Sequence, residues 1–207
     1  MRRIKKHINK GNVIYSIDYK TTQPFSAWYE VLLSLNEFIR ARVREVKCKY
    51  EAKLKENNAF IDSEYKRGYE FGLIAEQHHD ERLNIVKSKN NELIGLEANI
   101  KSTLEKVLKD ITKEYAIDCR IGKRKKESFI AFYIRSIEKK KMLKMRRFKQ
   151  HLKIINAMVL NRNSSEHELD ALFRKIDERY IILILNTTHQ YMNEFILQLY
   201  KSDKQYK

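Results

Sequence analysis

Three short groups of side chains in the 207-residue sequence have the types that catalysis or metal binding would need. His78-His79-Asp80-Glu81 offers metal donors. Adjacent helix positions point about 100° apart, however, and no H-E-x-x-H spacing accompanies them, so a solvated helix face is expected. His167, Glu168 and Asp170 can be drawn as an acid/base cluster. In the first turn of a helix such carboxylates favour the positive dipole end without any catalytic duty. Cys48 and Cys119 stand far apart and form neither a C-x-x-C pair nor a disulfide framework, which fits a reducing compartment. Cys48, beside Val46 and Tyr50, is expected to be a semi-buried structural thiol. The absence of a G-x-x-x-x-G-K-S/T loop removes the P-loop ATPases. The expectation is a non-enzyme with no cofactor and no metal.

The elements that would carry these residues follow from composition. One proline (Pro24) and five glycines leave too few turn formers for a sandwich or barrel, and 183 proline-free residues permit very long helices. A charged fraction of 34%, a net charge of +16 and a mean hydropathy of −0.63 argue against one large core. No apolar run approaches the roughly 20 residues of a membrane span, so no integral membrane segment and a cytoplasmic address are expected.

From Ser26, a plausible N-cap, the positions Trp28, Leu32, Leu35, Ile39, Val43, Val46, Tyr50 and Leu54 recur at helical spacing. Trp28, Ile39, Tyr50 and Ile61 repeat every eleven residues, the period of a straight or right-handed coiled coil. A second run, Leu93 to Tyr115, repeats the pattern. As one helix, 26–115 would span roughly 135 Å. A stripe this narrow needs a covering helix, supplied by a second copy or by an internal hairpin turning near Gly68 and Gly72. Those two glycines also form a G-x-x-x-G spacing that permits close helix approach, so dimerisation is the favoured alternative.

Before the stalk, alternation in 13–19 places Val13, Tyr15, Ile17 and Tyr19 on one face of a strand. It either docks on a partner's sheet edge or packs on a C-terminal sheet of its own chain. After the stalk, 120–150 holds thirteen cations and two anions. Gly122 with Lys123, Arg124, Lys125 and Lys126 reads as a linker, and 127–149, with Lys139, Lys140, Lys141, Arg146 and Arg147, as a basic helix. Residues 151–160 and 179–186 look strand-like around a helix opening at Ser164/Ser165, a βαβ-like unit. The fold class expected is mainly α, with long coiled-coil-like stalk helices and a small α/β C-terminal domain. The segments are 1–25 (partner docking), 26–118 (stalk and dimerisation) and 119–207 (α/β domain with a basic entry helix).

Ala41-Arg-Val-Arg-Glu-Val, Lys53-Leu-Lys-Glu and Tyr65-Lys-Arg-Gly68-Tyr69-Glu70-Phe-Gly72-Leu73 carry a likeness over residues 40–75. With the overall layout, they make the chain resemble the stator (peripheral-stalk) family of bacterial type III secretion systems, the SctL/YscL/OrgB proteins related to flagellar FliH. The resemblance implies a homodimer that is peripheral to a membrane-embedded apparatus. Its C-terminal domain would hold and restrain the secretion ATPase, and its N-terminal segment would meet sorting-platform proteins. The alternative, from charge and from the rings Phe129, Phe132 and Tyr133, is a basic helical nucleic-acid-binding protein.

Overall fold

Pro24 fixes where the first long helix begins. Its missing N–H is no loss at an N-cap, and its carbonyl accepts from Trp28 N at 3.2 Å. In a computed structural model, α1 (Phe25–Lys66, 42 residues) starts directly after it, and Ser26 is buried in the first turn instead of capping it. The structure describes residues 5–9, 12–16, 24–67, 71–117, 127–167 and 176–205. After α1 come α2 (Phe71–Glu114), α3 (Phe129–Lys141), a 3-10 turn at Arg146–Phe148, α4 (Lys149–His167) and α5 (Glu178–Gln205). Ahead of α1, strands β1 (Lys5–Asn9) and β2 (Asn12–Ser16) pair antiparallel, with Lys5 opposite Ser16.

The stalk is not one continuous helix. Between Lys66 and Phe71 the chain reverses, and α2 runs back along α1. Trp28 meets Tyr115 with ring centroids 6.5 Å apart, Tyr50 Oη donates to Glu92 at 2.8 Å, and Asn57 Nδ2 donates to Glu81 at 2.8 Å. α5 lies antiparallel to α1, with Phe25 against Tyr200 at 5.4 Å and Arg40 donating to Asn186. α3 packs on α2 and α4, and α4 packs on α5. One core joins these helices: Leu32, Ile39, Val43, Val46 and Tyr50 of the first stripe, Leu93 to Ile111 of the second, Ile130, Ile134 and Ile137 of α3, and Ile181 to Leu199 of α5.

The α/β C-terminal domain expected from the sequence is absent from the described residues. Residues 151–160 lie in helix α4, and 179–186 lie in helix α5. Ser164 and Ser165 sit inside α4 and do not open a helix, while 168–175 fall outside the described residues. The physical reason is a short window without polar residues. Tyr180-Ile-Ile-Leu-Ile-Leu185 is apolar throughout, at the exposed Leu183 as well as at the buried Ile181, Ile184 and Leu185, so a strand-sized run hides the 3.6-residue polarity that α5 shows over its full length. The basic helix expected over 127–149 is also two pieces. α3 ends at Lys141, where Met142 adopts a left-handed conformation (φ 52°, ψ 40°).

Candidate functional site

Two surfaces stand out once each predicted residue is located. The first is a two-helix arm. In α1 the buried stripe stops at Tyr50, and in α2 it resumes at Leu93. α5 begins at this level: Ile176 N donates to Asn90 Oδ1 at 2.9 Å, and Glu178 pairs with Lys89 at 2.6 Å. Beyond it, 51–66 and 71–92 pair with no third helix among the described residues, over roughly 24 Å for the α1 side at 1.5 Å per residue. The stripe continues on the arm as Leu54 and Ile61, now half-buried, and Tyr65, exposed. Phe60, Leu83 and Val86 are exposed as well.

Inside the arm the packing is polar. Asn57 and His78 are buried, Asn57 Nδ2 lies 3.3 Å from His78 Nδ1, the Phe60 ring sits 5.0 Å from the His78 ring, and Asn57 Oδ1 has no hydrogen-bond partner among the described residues. A buried asparagine of this kind fixes the register of a helix pair at some cost in stability. His78 therefore corrects the expectation of a fully solvated face, although His79, Asp80 and Glu81 are exposed. No group of three His, Cys, Asp or Glu residues is placed to hold a metal ion among the described residues. Cys48 is exposed, correcting the semi-buried thiol: two positions from both Val46 and Tyr50, it points away from the stripe they occupy.

The second surface is basic and follows the end of α3 through the corner into α4. Lys139, Lys140, Lys144, Arg146, Arg147, Lys149 and Lys153 are exposed. Lys141 is half-buried, held by Asp203 at 3.0 Å and seated 3.6 Å from the Tyr115 ring centroid. Burial first, and then the hydrogen bond to Asp203, push the Tyr115 hydroxyl well above its ordinary range. Arg135 is paired with Glu127 at 2.8 Å. Of the three expected rings, Phe132 is buried, Tyr133 is half-buried and Phe129 is exposed at the opposite end of α3 from these cations.

Other predicted residues fall apart in space or out of view. Leu32, Ile39, Val43, Val46 and Tyr50 are covered by this chain's own helices. Gly72 lies at the start of α2, whereas Gly68 is outside the described residues, as are Lys123, Arg124, Lys125 and Lys126. Val13 and Tyr15 belong to β2, which pairs with β1 and not with a C-terminal sheet; Ile17 and Tyr19 lie outside the described residues.

The sequence reading missed the polar contacts within the body. Tyr191 Oη donates to Glu138 at 2.7 Å, and Tyr180 Oη donates to the fully buried Glu97 at 3.0 Å. Burial raises the Glu138 carboxyl above its usual range, and the Tyr191 hydroxyl draws it partly back. Their sequence separation left no local signal. No helix among the described residues is long and apolar enough to cross a membrane. No family model matches the chain, and no curated protein or solved structure matches it either.

Proposed function

We propose that this chain is a non-catalytic helical scaffold that assembles through its projecting α1–α2 arm. The uncovered arm supports this reading most directly: Leu54, Ile61 and Tyr65 continue a stripe that is buried in the body, and Phe60, Leu83 and Val86 stand exposed beside it. Two such arms side by side would make a four-helix bundle, the arrangement that best covers paired helices. The likeness of residues 40–75 to type III secretion stators supplies the setting, a homodimer between a secretion ATPase and sorting-platform proteins. With the C-terminal half helical, the ATPase contact in this reading belongs to a helical surface of α3–α5.

Light scattering on the full chain tests the assembly. The expected mass is that of a dimer, and a triple variant, Phe60→Glu, Leu83→Glu and Val86→Glu, is expected to be a monomer with unchanged helicity. A monomeric native chain at tens of micromolar rules out the homodimer. Affinity purification from the native host tests the setting, and recovery without a hexameric ATPase counts against the stator assignment.

A further inference from the structure

The corner between α3 and α4 does more than reverse the chain. It closes against the last turns of α5 around an open groove of about 620 Å³, whose lining includes Lys141, Lys144, Arg147 and Lys201 and a single anion, Glu194. Lys141 is neutralised by Asp203, but Lys144, Arg147 and Lys201 are exposed and their side chains have no ion-pair partner among the described residues. The groove is built on fixed backbone. Gln198 Oε1 accepts from Lys144 N at 2.7 Å while Gln198 Nε2 donates to Lys144 O at 3.1 Å, pinning the corner to α5. The same Nε2 donates to Glu194 Oε1 at 2.9 Å, engaging the groove's one carboxylate internally. Outside the groove the positive surface continues through the exposed Lys139, Lys140, Arg146 and Lys149.

We infer that this groove binds the phosphodiester backbone of double-stranded nucleic acid, without reading its sequence. Two observations choose nucleic acid over an acidic protein and a duplex over a single strand. Protein interfaces gain most of their energy from buried aromatic and apolar anchors. Along 139–149 the one large apolar side chain that stands exposed is Met142; Val31, Phe38, Phe60 and Leu83 belong to other helices, while Phe129 at the start of α3 and Leu183 near the start of α5 lie roughly 16–18 Å along their helices from the groove at 1.5 Å per residue. Phosphate contacts require cations and donors and no apolar anchor. Single-strand binders stack bases on exposed rings. Here Phe148, the ring nearest the cations in sequence, is half-buried and packs on His151 at 5.2 Å and Tyr191 at 6.3 Å. This inference does not depend on assembly through the arm, which lies at the opposite end of α1 and α2.

The test is a salt titration of the full chain with a 20-base-pair duplex of arbitrary sequence, run as DNA and as RNA, beside a single strand and a polyglutamate peptide. Both duplexes are expected to bind, with log K falling linearly in log salt, and both more tightly than the single strand or the peptide. In a triple variant, Lys144→Gln, Arg147→Gln and Lys201→Gln, the slope is expected to shrink by about 2.7, three contacts at about 0.9 each, and Kd at 0.1 M salt to rise at least about tenfold. A charge-matched variant, Lys55→Gln, Lys87→Gln and Lys106→Gln, removes three exposed cations from other surfaces and is expected to keep most of the native slope. Equal loss in the two variants, a native chain that ignores both duplexes, or tighter binding of polyglutamate overturns the inference. Matching helicity and melting in the two variants separates loss of the groove from loss of the fold.

Discussion

His189 is the residue with the plainest acid-dependent consequence. It is buried on α5, its Nδ1 lies 3.1 Å from Asn193 Nδ2, and its Nε2 has no hydrogen-bond partner among the described residues. Burial, and then the charge of Arg40, lower its pKa to about 4 from an ordinary 6.5. The folded state therefore resists a proton that the unfolded chain accepts. Stability present above pH 6.5 is lost as pH falls toward 4, by about 3 kcal/mol for a gap of this size. Urea midpoints of the full chain should drop between pH 7 and pH 5, and His189→Asn should flatten that drop; an identical slope in the variant assigns the effect elsewhere. Glu138 has the opposite sign. Its carboxyl is raised, so its contribution is fully present below the ordinary carboxylate range and is lost as pH rises through the folded value. Glu138→Gln keeps an acceptor for the Tyr191 hydroxyl and removes the buried charge. Tm is expected to rise at pH 7 and to be unchanged at pH 4.

At the scale of elements, the break at Met142 decides where the basic surface points. α3 begins well: Ser128 accepts from Ala131 N at 3.1 Å, so Ser128→Ala should cost about 1 kcal/mol in chemical denaturation. It ends on a residue poorly suited to the left-handed region, with Leu143 N closing onto Glu138 O at 3.0 Å. A non-glycine there costs about 1–2 kcal/mol, and glycine gives back roughly 0.5–1 through the entropy of the unfolded chain. Met142→Gly should therefore stabilise the chain by up to about 1 kcal/mol, and a lower Tm would mean that the Met142 side chain packs usefully despite its exposure. Without Gly or Pro at the corner, nothing in Lys139-Lys-Lys-Met-Leu-Lys144 announces a stop, so 127–149 reads as one helix. α2 ends the same way at Ala116 (φ 47°), where Ile117 N donates to Thr112 O at 2.8 Å and Ala116 N to Lys113 O at 3.2 Å, a Schellman closure without glycine.

For the whole molecule, stability is divided between a body whose helices share one core and an arm with a polar interior. Amides of 53–66 and 76–86 are expected to exchange with solvent well before those of 93–111, because few apolar contacts hold the arm closed. If a second copy covers the arm, its exchange should slow as protein concentration rises while the body's does not. Uniform protection at all concentrations contradicts both the arm's low local stability and its role in assembly.

The apolar repeat of 28–54 and 93–115, together with the scarcity of proline and glycine, determined the two long helices and the residues they bury, because a 3–4 spacing records which face is covered whatever covers it. It did not determine the covering partner: a stripe packs equally well on a second copy or on its own chain, and the reversal between Lys66 and Phe71 settles that for the body. The C-terminal half was misread for another reason. α5 is amphipathic over its whole length, but its stretch 180–185 is apolar on every side, the exposed Leu183 included, and in a window that short only tertiary packing distinguishes a helix from a strand. Charge behaved likewise. Thirteen cations between 120 and 150 were visible at once, but which of them are neutralised, as Lys141 is by Asp203, and which remain free around the α5 groove depends on contacts dozens of residues apart in sequence.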